Sequence, residues 1–291
     1  GAHVGLFVTE GFGGINDVWH LAPSEDTSKV TSPYVEKKPP VLPRFRREAK
    51  ERVNYKGEIT KSLDESAVIE AVKSLGKRGI QSIAVVLLFS FLNDKHEKRI
   101  EEIIKQELPE ATVSLSSSVL PQMREFPRLS TSVANAYIAP MMVTYLEALE
   151  RRIREHKVTS DALYVMQSNG GVARIASVTP VTTVLSGPCA GAMAAMQIAS
   201  TAGYSNAVSL DMGGTSTDIA LGQEGRVLET TTGRIGDWEL AVPMLMINTI
   251  GAGGGTIATV ESGGGLRVGP ESAGADPGPV SYGRGGKQPT V

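Results

Sequence analysis

The sequence predicts an α/β protein of two lobes, and three observations carry the expectation. Between Asp64 and Leu115, segments of helical period alternate with apolar runs of strand length, as when strands are layered against helices. A second such set, from Leu163 to the stretch Asp211-Met-Gly-Gly-Thr-Ser-Thr-Asp218, follows a long helical pattern from about Thr131 to His156 that is placed to bridge the two. With 291 residues, 41% of them hydrophobic, the chain holds enough apolar material for two cores.

The elements follow in order. Val4 to Thr9 is an apolar run that leaves into the turn-rich Glu10-Gly-Phe-Gly-Gly14 and reads as a buried strand. Ala22 to Pro43, with Lys37-Lys38 ahead of three prolines, reads as a surface loop. Glu51 to Thr60 suits a hairpin turning at Lys56-Gly57. Asp64 is placed to cap a helix through Leu75 that buries Ala67, Val68, Ala71, Val72 and Leu75, with Gly76 and Gly79 closing it. Ile83 to Phe89 is expected as a buried strand. Asn93 or Asp94 then opens a helix with Ile100, Ile103, Ile104 and Leu108 inward, before a strand at Thr112–Leu115. In the long helical pattern, Val133, Tyr137, Met141, Tyr145, Leu149 and Ile153 recur at helical spacing and are expected in the core. Leu163–Met166 returns as a strand ending in the turn Gln167-Ser-Asn-Gly-Gly171. A small-residue helix then runs from Ala190 to Ala199, with Pro188 near its first turn. Beyond Gly251 the glycine runs are interleaved with strand residues Thr256–Val260 and Leu266–Val268, which argues for close backbone approach rather than disorder.

Composition excludes several classes. Lys plus Arg (29) nearly balances Asp plus Glu (31), and no basic stripe is interleaved with aromatics, so nucleic acid and anionic membranes are not implied partners. The single cysteine, Cys189, rules out an internal disulfide framework, and no apolar run reaches the roughly 18 residues of a membrane span. A cytoplasmic setting is expected. His3, His20, His96 and His156 lie far apart without metal-ligand spacing, and Cys189 reads as a packed thiol. Arg151, Arg152 and Arg154 read as a solvated, dipole-complementing helix end.

The chemistry points to Asp211–Asp218. A hairpin there would expose the amides of Gly213, Gly214, Thr215 and Ser216 as a concave nest able to approach a phosphate. Asp211, at the end of a buried strand, would hold Mg²⁺ directly or through its waters, and Asp218 would orient a water or stabilise the turn; these are the candidate catalytic carboxylates. A tight hairpin whose acids satisfy turn amides is the alternative. Gly187, ahead of Pro188 at a helix start, is a further anion-site candidate. Gly283-Arg-Gly-Gly-Lys-Gln288 lacks the Ser or Thr and the first glycine of a phosphate loop. Gly251-Ala-Gly-Gly-Gly-Thr256 lacks the third glycine and following helix of a dinucleotide fingerprint.

Leu185-Ser-Gly-Pro188, the Asp211–Asp218 stretch, Thr249-Ile-Gly-Ala-Gly-Gly-Gly255, Gly269 to Pro279 and Tyr282-Gly-Arg-Gly-Gly286, in this order, closely resemble the A-type subunit of the hydantoinase/oxoprolinase family. Thr9-Glu-Gly-Phe12, Arg124-Glu125 to Tyr137 and Gln167–Gly171 extend the resemblance over nearly the whole chain. It implies a two-lobed architecture like the actin-like ATPases (ribonuclease H-like), with residues 1–127 in an N-terminal lobe, residues 128–291 in a core lobe and Asp211–Asp218 facing the groove between them. It implies ATP-dependent opening of a cyclic amide through phosphorylation of its carbonyl oxygen. The implied alternatives are an acetone- or acetophenone-type carboxylase subunit and a non-catalytic nucleotide-binding module. ATP with Mg²⁺ is the implied cofactor pair, a B-type subunit and a small cyclic amide are the implied partners, and an oligomer is expected. Carried over by residue, Asp211 serves Mg²⁺-ATP, Gly213, Gly214, Thr215 and Ser216 the phosphates, and Gly253, Gly254 and Gly255 the nucleotide or substrate cleft. Three departures stand out: no Asp-x-Gly-Gly-Thr hairpin near the start, Asn248 where many members carry His, and an end at Val291 ahead of the family's usual continuation. The chain is therefore expected to be an internal portion of a longer subunit.

Overall fold

The computed structural model describes residues 1–15, 17, 40–158, 163–235 and 238–291; His20 and most of the expected loop from Ala22 to Pro43 lie outside them. In chain order the strands and helices are β1 (Val4–Thr9), β2 (Arg46–Ala49), β3 (Arg52–Val53), β4 (Ile59–Lys61), α1 (Glu65–Gly76), β5 (Ser82–Val86), α2 (Lys95–Glu107), β6 (Thr112–Leu115), α3 (Ser116–Val119) and α4 (Glu125–Glu155). They continue with β7 (Tyr164–Met166), β8 (Val172–Arg174), α5 (Ser186–Thr201), β9 (Ala207–Met212), β10 (Thr217–Gln223), β11 (Arg226–Val227), β12 (Glu229–Thr230), β13 (Gly233–Ile235), β14 (Trp238–Leu240), β15 (Met244–Leu245), β16 (Ile247–Ile250), β17 (Thr256–Val260) and β18 (Leu266–Ser272). The chain divides into two units. The first is Gly1–Leu163 with Arg174–Val181 and Thr231–Val242; the second is Tyr164–Ala173, Thr182–Thr230 and Pro243–Val291.

The first unit is built on a parallel sheet of order β2-β1-β5-β6. Every residue of β1 and β5 is buried, because both faces of the sheet are covered. Phe7, Ile83 and Val85 pack against Val68, Val72 and Leu75 of α1 and Ile100, Ile103 and Ile104 of α2. Leu6, Val8, Ala84 and Val86 face Leu129, Val133 and Ala136 of α4. As expected, Asp64 caps α1, its carboxylate accepting from the Ala67 amide at 3.0 Å, and β3 and β4 form the hairpin around Gly57.

Three expectations change. The strand expected through Phe89 ends at Val86, because the next amides leave the ladder: Leu87 N donates to the Glu97 carboxylate (2.9 Å) and Leu88 N to the Thr9 hydroxyl (3.0 Å). The long helix starts at Glu125 rather than near Thr131, since Pro127 sits in the first turn, where its missing N–H has no intrahelical role. The expected core stripe along that helix is only partly buried. Val133 is inside, but Tyr137, Met141 and Tyr145 are 45%, 67% and 60% exposed. A spacing of four advances about 40° per step around a helix of 3.6 residues per turn, so the stripe winds off the buried face; Leu129, Ala136, Ala139 and Leu146 hold that face instead.

A buried polar layer closes the carboxyl ends of these strands. The Glu97 carboxylate, fully buried, accepts from Leu87 N, from the Ser116 hydroxyl (2.6 Å) and from Ser117 N (2.9 Å), which joins the ends of β5 and β6 to α2. Glu51, also fully buried, accepts from the Thr9 hydroxyl (2.5 Å) and meets His96 Nδ1 at 2.8 Å. Arg128 donates through Nη2 to the Leu87 carbonyl at 2.5 Å, and burial pulls its guanidinium below its usual pKa while Glu97 and Glu125 oppose that.

In the second unit, β9, β10 and β16 form an antiparallel sheet, with β11 beside the far end of β10. Register puts Ala207, Ser209, Asp211, Asp218, Ala220 and Gly222 on one face and Val208, Leu210, Met212, Ile219 and Leu221 on the other. Helix α5 covers the first face, burying Ala220, Ala192 and Met196. β9 was expected to be a buried strand. It is instead an edge strand, pairing with β10 alone among the described residues, and Val208 and Leu210 are each 65% exposed.

Two tests follow. Glu97→Ala removes the shared acceptor of the Leu87 and Ser117 amides and the Ser116 hydroxyl and is expected to cost about 3 kcal/mol, or roughly 10 °C in Tm, measured by thermal unfolding. Hydrogen bonds from the Ser66 hydroxyl and then the Ala67 amide hold the Asp64 carboxyl below its ordinary value. A depressed folded-state pKa stabilises at neutral pH and stops doing so as pH falls through that value. Asp64→Asn is therefore expected to weaken the protein at neutral pH and to flatten the acid limb of its stability profile; an unchanged limb would show that the cap is not the titrating group.

Candidate functional site

The turn between β9 and β10 is closed by one backbone bond, Gly213 N to the Ser216 carbonyl at 2.9 Å. That uses one of the four amides expected in the nest. The amides of Gly214, Thr215 and Ser216 have no acceptor among the described residues, and Gly213 to Thr215 are exposed. Three donors without acceptors at a tip without bulky side chains suit a group carrying several anionic oxygens.

The glycine-rich segment packs against the back of this tip. Gly254 N donates to the Gly213 carbonyl (2.9 Å) and Gly255 N to the Gly214 carbonyl (2.6 Å), while Gly253 N is held by the Thr256 hydroxyl at 2.7 Å. The amides of Gly253, Gly254 and Gly255 are thus engaged with the protein itself, and these residues stand behind the nest as its support. A Cβ on Gly253 would lie 2.7 Å from Ser216 N and from the backbone of Thr215, so this position admits glycine alone without movement. The Thr217 hydroxyl, donating to the Ala252 carbonyl at 2.5 Å, pins the same contact from the strand side.

Beside the tip, Asp211 and Asp218 stand directly opposite one another across the strand pair and share its α5-covered face. Both line a cleft of about 330 Å³ with Pro188, Gly191, Ala195 and Ser209. Asp218 is oriented: its Oδ1 accepts from the Thr249 hydroxyl at 2.5 Å, and Thr249 is its register partner on β16. Asp211, exposed at the rim rather than at the end of a buried strand, makes no hydrogen bond or ion pair among the described residues. An Oδ2 contact 3.7 Å from the Cβ position of Gly191 places its carboxylate against α5. Gly187 lies in the first turn of α5 with open space around it, behind an N-cap, Leu185, that supplies no side-chain acceptor. Thr249 escaped sequence reasoning because a lone hydroxyl in a glycine motif carries no pattern; its place opposite Asp218 emerges only from strand register.

The remaining candidates sit elsewhere. Cys189 is buried, donates to the Ser168 carbonyl at 3.0 Å, and has its thiol pushed up by burial, as suits a packed thiol. His3 and His156 are exposed and His96 is buried against Glu51. Asn248 pairs with Ile219, on the face opposite the carboxylates. Among the described residues no group of three or more His, Cys, Asp or Glu side chains is arranged to hold a metal ion, and no helix is long and apolar enough to cross a membrane.

Gly253→Ala is expected to push the tip off its support and cost about 1–3 kcal/mol in thermal unfolding. Gly251→Ala, whose Cβ meets nothing within 4 Å, should stay within about 0.5 kcal/mol of the parent.

The Hydantoinase/oxoprolinase family profile matches residues 128–291, and that of the Hydantoinase/oxoprolinase N-terminal region matches residues 1–108. The whole chain aligns with the caprolactamase subunit alpha of Pseudomonas jessenii at 36% identity and with the acetophenone carboxylase gamma subunit of Aromatoleum aromaticum at 37%. It spans 42% and 41% of their lengths. The 5-oxoprolinase of Saccharomyces cerevisiae is 38% identical over 78% of the chain and 18% of its own. Among solved structures, the ATP-dependent caprolactamase of Pseudomonas jessenii superimposes with a TM-score of 0.79 at 35% identity, covering all of this chain and 42% of that one. Acetone carboxylase in its nucleotide-free form shares the fold, with a TM-score of 0.85 at 24% identity and the same coverage. The two matches to the family, over both parts of the sequence, establish that this chain belongs to the hydantoinase/oxoprolinase family.

Proposed function

We propose that the second unit binds the phosphates of Mg²⁺-ATP and that the protein takes part in ATP-dependent opening of a cyclic amide of the hydantoin, 5-oxoproline or lactam type. The observation that carries this is the β9–β10 hairpin, whose tip holds three amides without acceptors among the described residues and whose flanking carboxylates, Asp211 and Asp218, line one cleft. The caprolactamase and 5-oxoprolinase relatives favour this class of substrate. The actin-like arrangement of the two lobes, their division near residue 127, a B-type partner subunit, an oligomeric state and a cytoplasmic setting belong to the same proposal.

The donor set suits magnesium. Two carboxylates directly opposite across a strand pair repel one another, and a divalent cation between or beside them removes that repulsion. Magnesium is commonly bound by one or two carboxylates with waters and phosphate oxygens completing its shell, so a larger cluster is not required. Asp211, with both oxygens open, would hold the ion or its waters. Asp218, tied by Thr249 through one oxygen, would orient a water or stabilise the turn. Gly214, Thr215 and Ser216 would hold phosphate oxygens through their amides, joined by the first turn of α5 at Gly187, and Gly253, Gly254 and Gly255 would keep the tip rigid behind them. When bound, Mg²⁺-ATP would supply the phosphoryl group that makes a poor carbonyl electrophile reactive; the residues would contribute positioning and charge stabilisation.

A carboxylase subunit is the second reading, favoured by 37% identity to the acetophenone carboxylase gamma subunit over the whole chain. The two share the nucleotide site and differ in the acceptor of the phosphoryl group, bicarbonate and a ketone in place of a cyclic amide. Calorimetry with Mg²⁺-ATP, then a turnover panel of hydantoin, 5-oxoproline, caprolactam, and ketones with bicarbonate in the presence of the B-type subunit, separates them. Binding without turnover on any member would favour a nucleotide-binding module instead, and no binding at all would remove the nucleotide site. Asp211→Asn keeps size and removes charge, so in the complete enzyme ATP-dependent turnover should fall by about a hundredfold or more, near 3 kcal/mol. Cys189→Ser should leave turnover nearly unchanged.

A further inference from the structure

The parallel sheet of the first unit reverses its strand order between β1 and β5: the chain leaves β1 for β2 on one side and leaves β5 for β6 on the other. In open α/β sheets, connections that part in this way leave a crevice beyond the carboxyl ends of the two strands. Here a small cavity of about 10 Å³ lies at that point, lined by Val8 and Thr9 at the end of β1, by Val86 and Leu88 at and just past the end of β5, and by Glu125 and Arg128 of α4. Three of these side chains are polar, and each has bonding capacity left over. Arg128 is 1% exposed; its Nη2 donates to the Leu87 carbonyl and its Nη1 to the Gln122 carbonyl (3.5 Å), but its Nε has no partner. The Thr9 hydroxyl donates to Glu51 and accepts from Leu88 N, which leaves one lone pair. The Glu125 carboxylate makes no hydrogen bond or ion pair among the described residues. A buried N–H without an acceptor is destabilising, so Arg128 Nε calls for a partner that the chain itself does not supply.

We propose that this cavity is the binding site of a single structural water, which accepts from Arg128 Nε and donates to the Thr9 hydroxyl and the Glu125 carboxylate. Size and charge both select the occupant. A volume of about 10 Å³ matches one water and nothing larger. An anion would answer the guanidinium but stand against Glu125 in the same lining, and a cation would stand against Arg128. A neutral molecule that both accepts and donates meets all three groups, and about three hydrogen bonds is the usual complement of a buried water. The water completes the polar layer at the strand ends. Through Thr9 it connects to Glu51 and His96, and through Arg128 to Leu87, whose amide Glu97 holds. The ends of β1 and β5, α2 and the first turn of α4 then share one hydrogen-bonded network.

A crystal structure of the 291-residue chain, grown with bromide in place of chloride and at a resolution that shows ordered waters, tests this directly. The expected result is one oxygen-sized peak within about 3.2 Å of Arg128 Nε, with no anomalous signal. In solution, the Arg128 Nε proton should give a nuclear Overhauser cross-peak to water with the sign of a bound rather than a diffusing molecule. Thr9→Ser keeps the hydroxyl and should keep that cross-peak. Thr9→Val keeps the shape, removes the acceptor and should lose it. An empty cavity overturns the proposal, as does Arg128 Nε bonded directly to Glu125 or to another protein acceptor. An anomalous bromide peak overturns it in favour of an anion site, and a cross-peak unchanged in Thr9→Val overturns the assignment of Thr9 as an acceptor of the water. Should Thr9→Val fail to fold, the density and cross-peak of the parent chain decide the matter alone.

Discussion

The candidate site rests on one backbone-to-backbone contact, the seating of Gly253–Gly255 behind the tip of the β9–β10 hairpin. A four-residue turn with open amides is conformationally loose by itself, because each of its glycines lowers the cost of rearrangement. Two hydrogen bonds from Gly254 and Gly255 fix the carbonyls of Gly213 and Gly214, and fixing the carbonyls turns the neighbouring amides outward. Amides already aimed need not reorganise when an anion arrives, which is the condition under which oriented dipoles stabilise charge best. The same contact explains the spacing of the motif. Any side chain at Gly253 would occupy the volume where Thr215 and Ser216 lie.

The first unit solves a related problem with side chains. A parallel sheet buried on both faces must end somewhere, and at its carboxyl ends the backbone donors have no ladder partner. Glu97 and Thr9 accept the amides of Leu87 and Leu88, and Arg128 donates to the carbonyl of Leu87, so the strand ends are closed by a layer of polar side chains. Glu97 and Arg128 bind the amide and the carbonyl of one residue, Leu87, in the two successive peptide groups that flank it, so their opposite charges offset one another without direct contact. The arrangement requires α2 and α4 to be docked at once, since one supplies the carboxylate and the other the guanidinium. Rigidity at the strand ends and docking of the helices are therefore one event.

Much of this was legible in the sequence, and the exceptions have physical causes. Asp64 as a cap, the apolar faces of α1 and α2, and the hairpin at Asp211–Asp218 are local patterns, decided within a few residues by capping, period and turn chemistry. Whether a strand is buried depends on neighbours far away in sequence, and so β9 reads as buried while being an edge. The stripe from Val133 to Tyr145 misleads for a related reason: spacing shows that residues share a helix, but only packing shows where that helix leaves its core. The support given by Gly253 and the anchoring of Asp218 by Thr249 are long-range register effects, invisible to any window along the chain.

Register also bears on Asn248, the position where the family resemblance leads one to expect histidine. Strand pairing places Thr249 opposite Asp218, and therefore Asn248 opposite Ile219. Successive side chains point to opposite faces of a sheet, so Asn248 belongs with Leu210 and Ile219 on the bare face while Asp211, Asp218 and Thr249 occupy the face under α5. An asparagine there removes no ligand from the carboxylate row and leaves the geometry of Asp218 to Thr249. Its effect falls on the exposed apolar side, where it replaces a titratable ring with a neutral amide beside Ile219. A residue at this position acts on whatever covers that face, and the two carboxylates are separated from it by the thickness of the sheet.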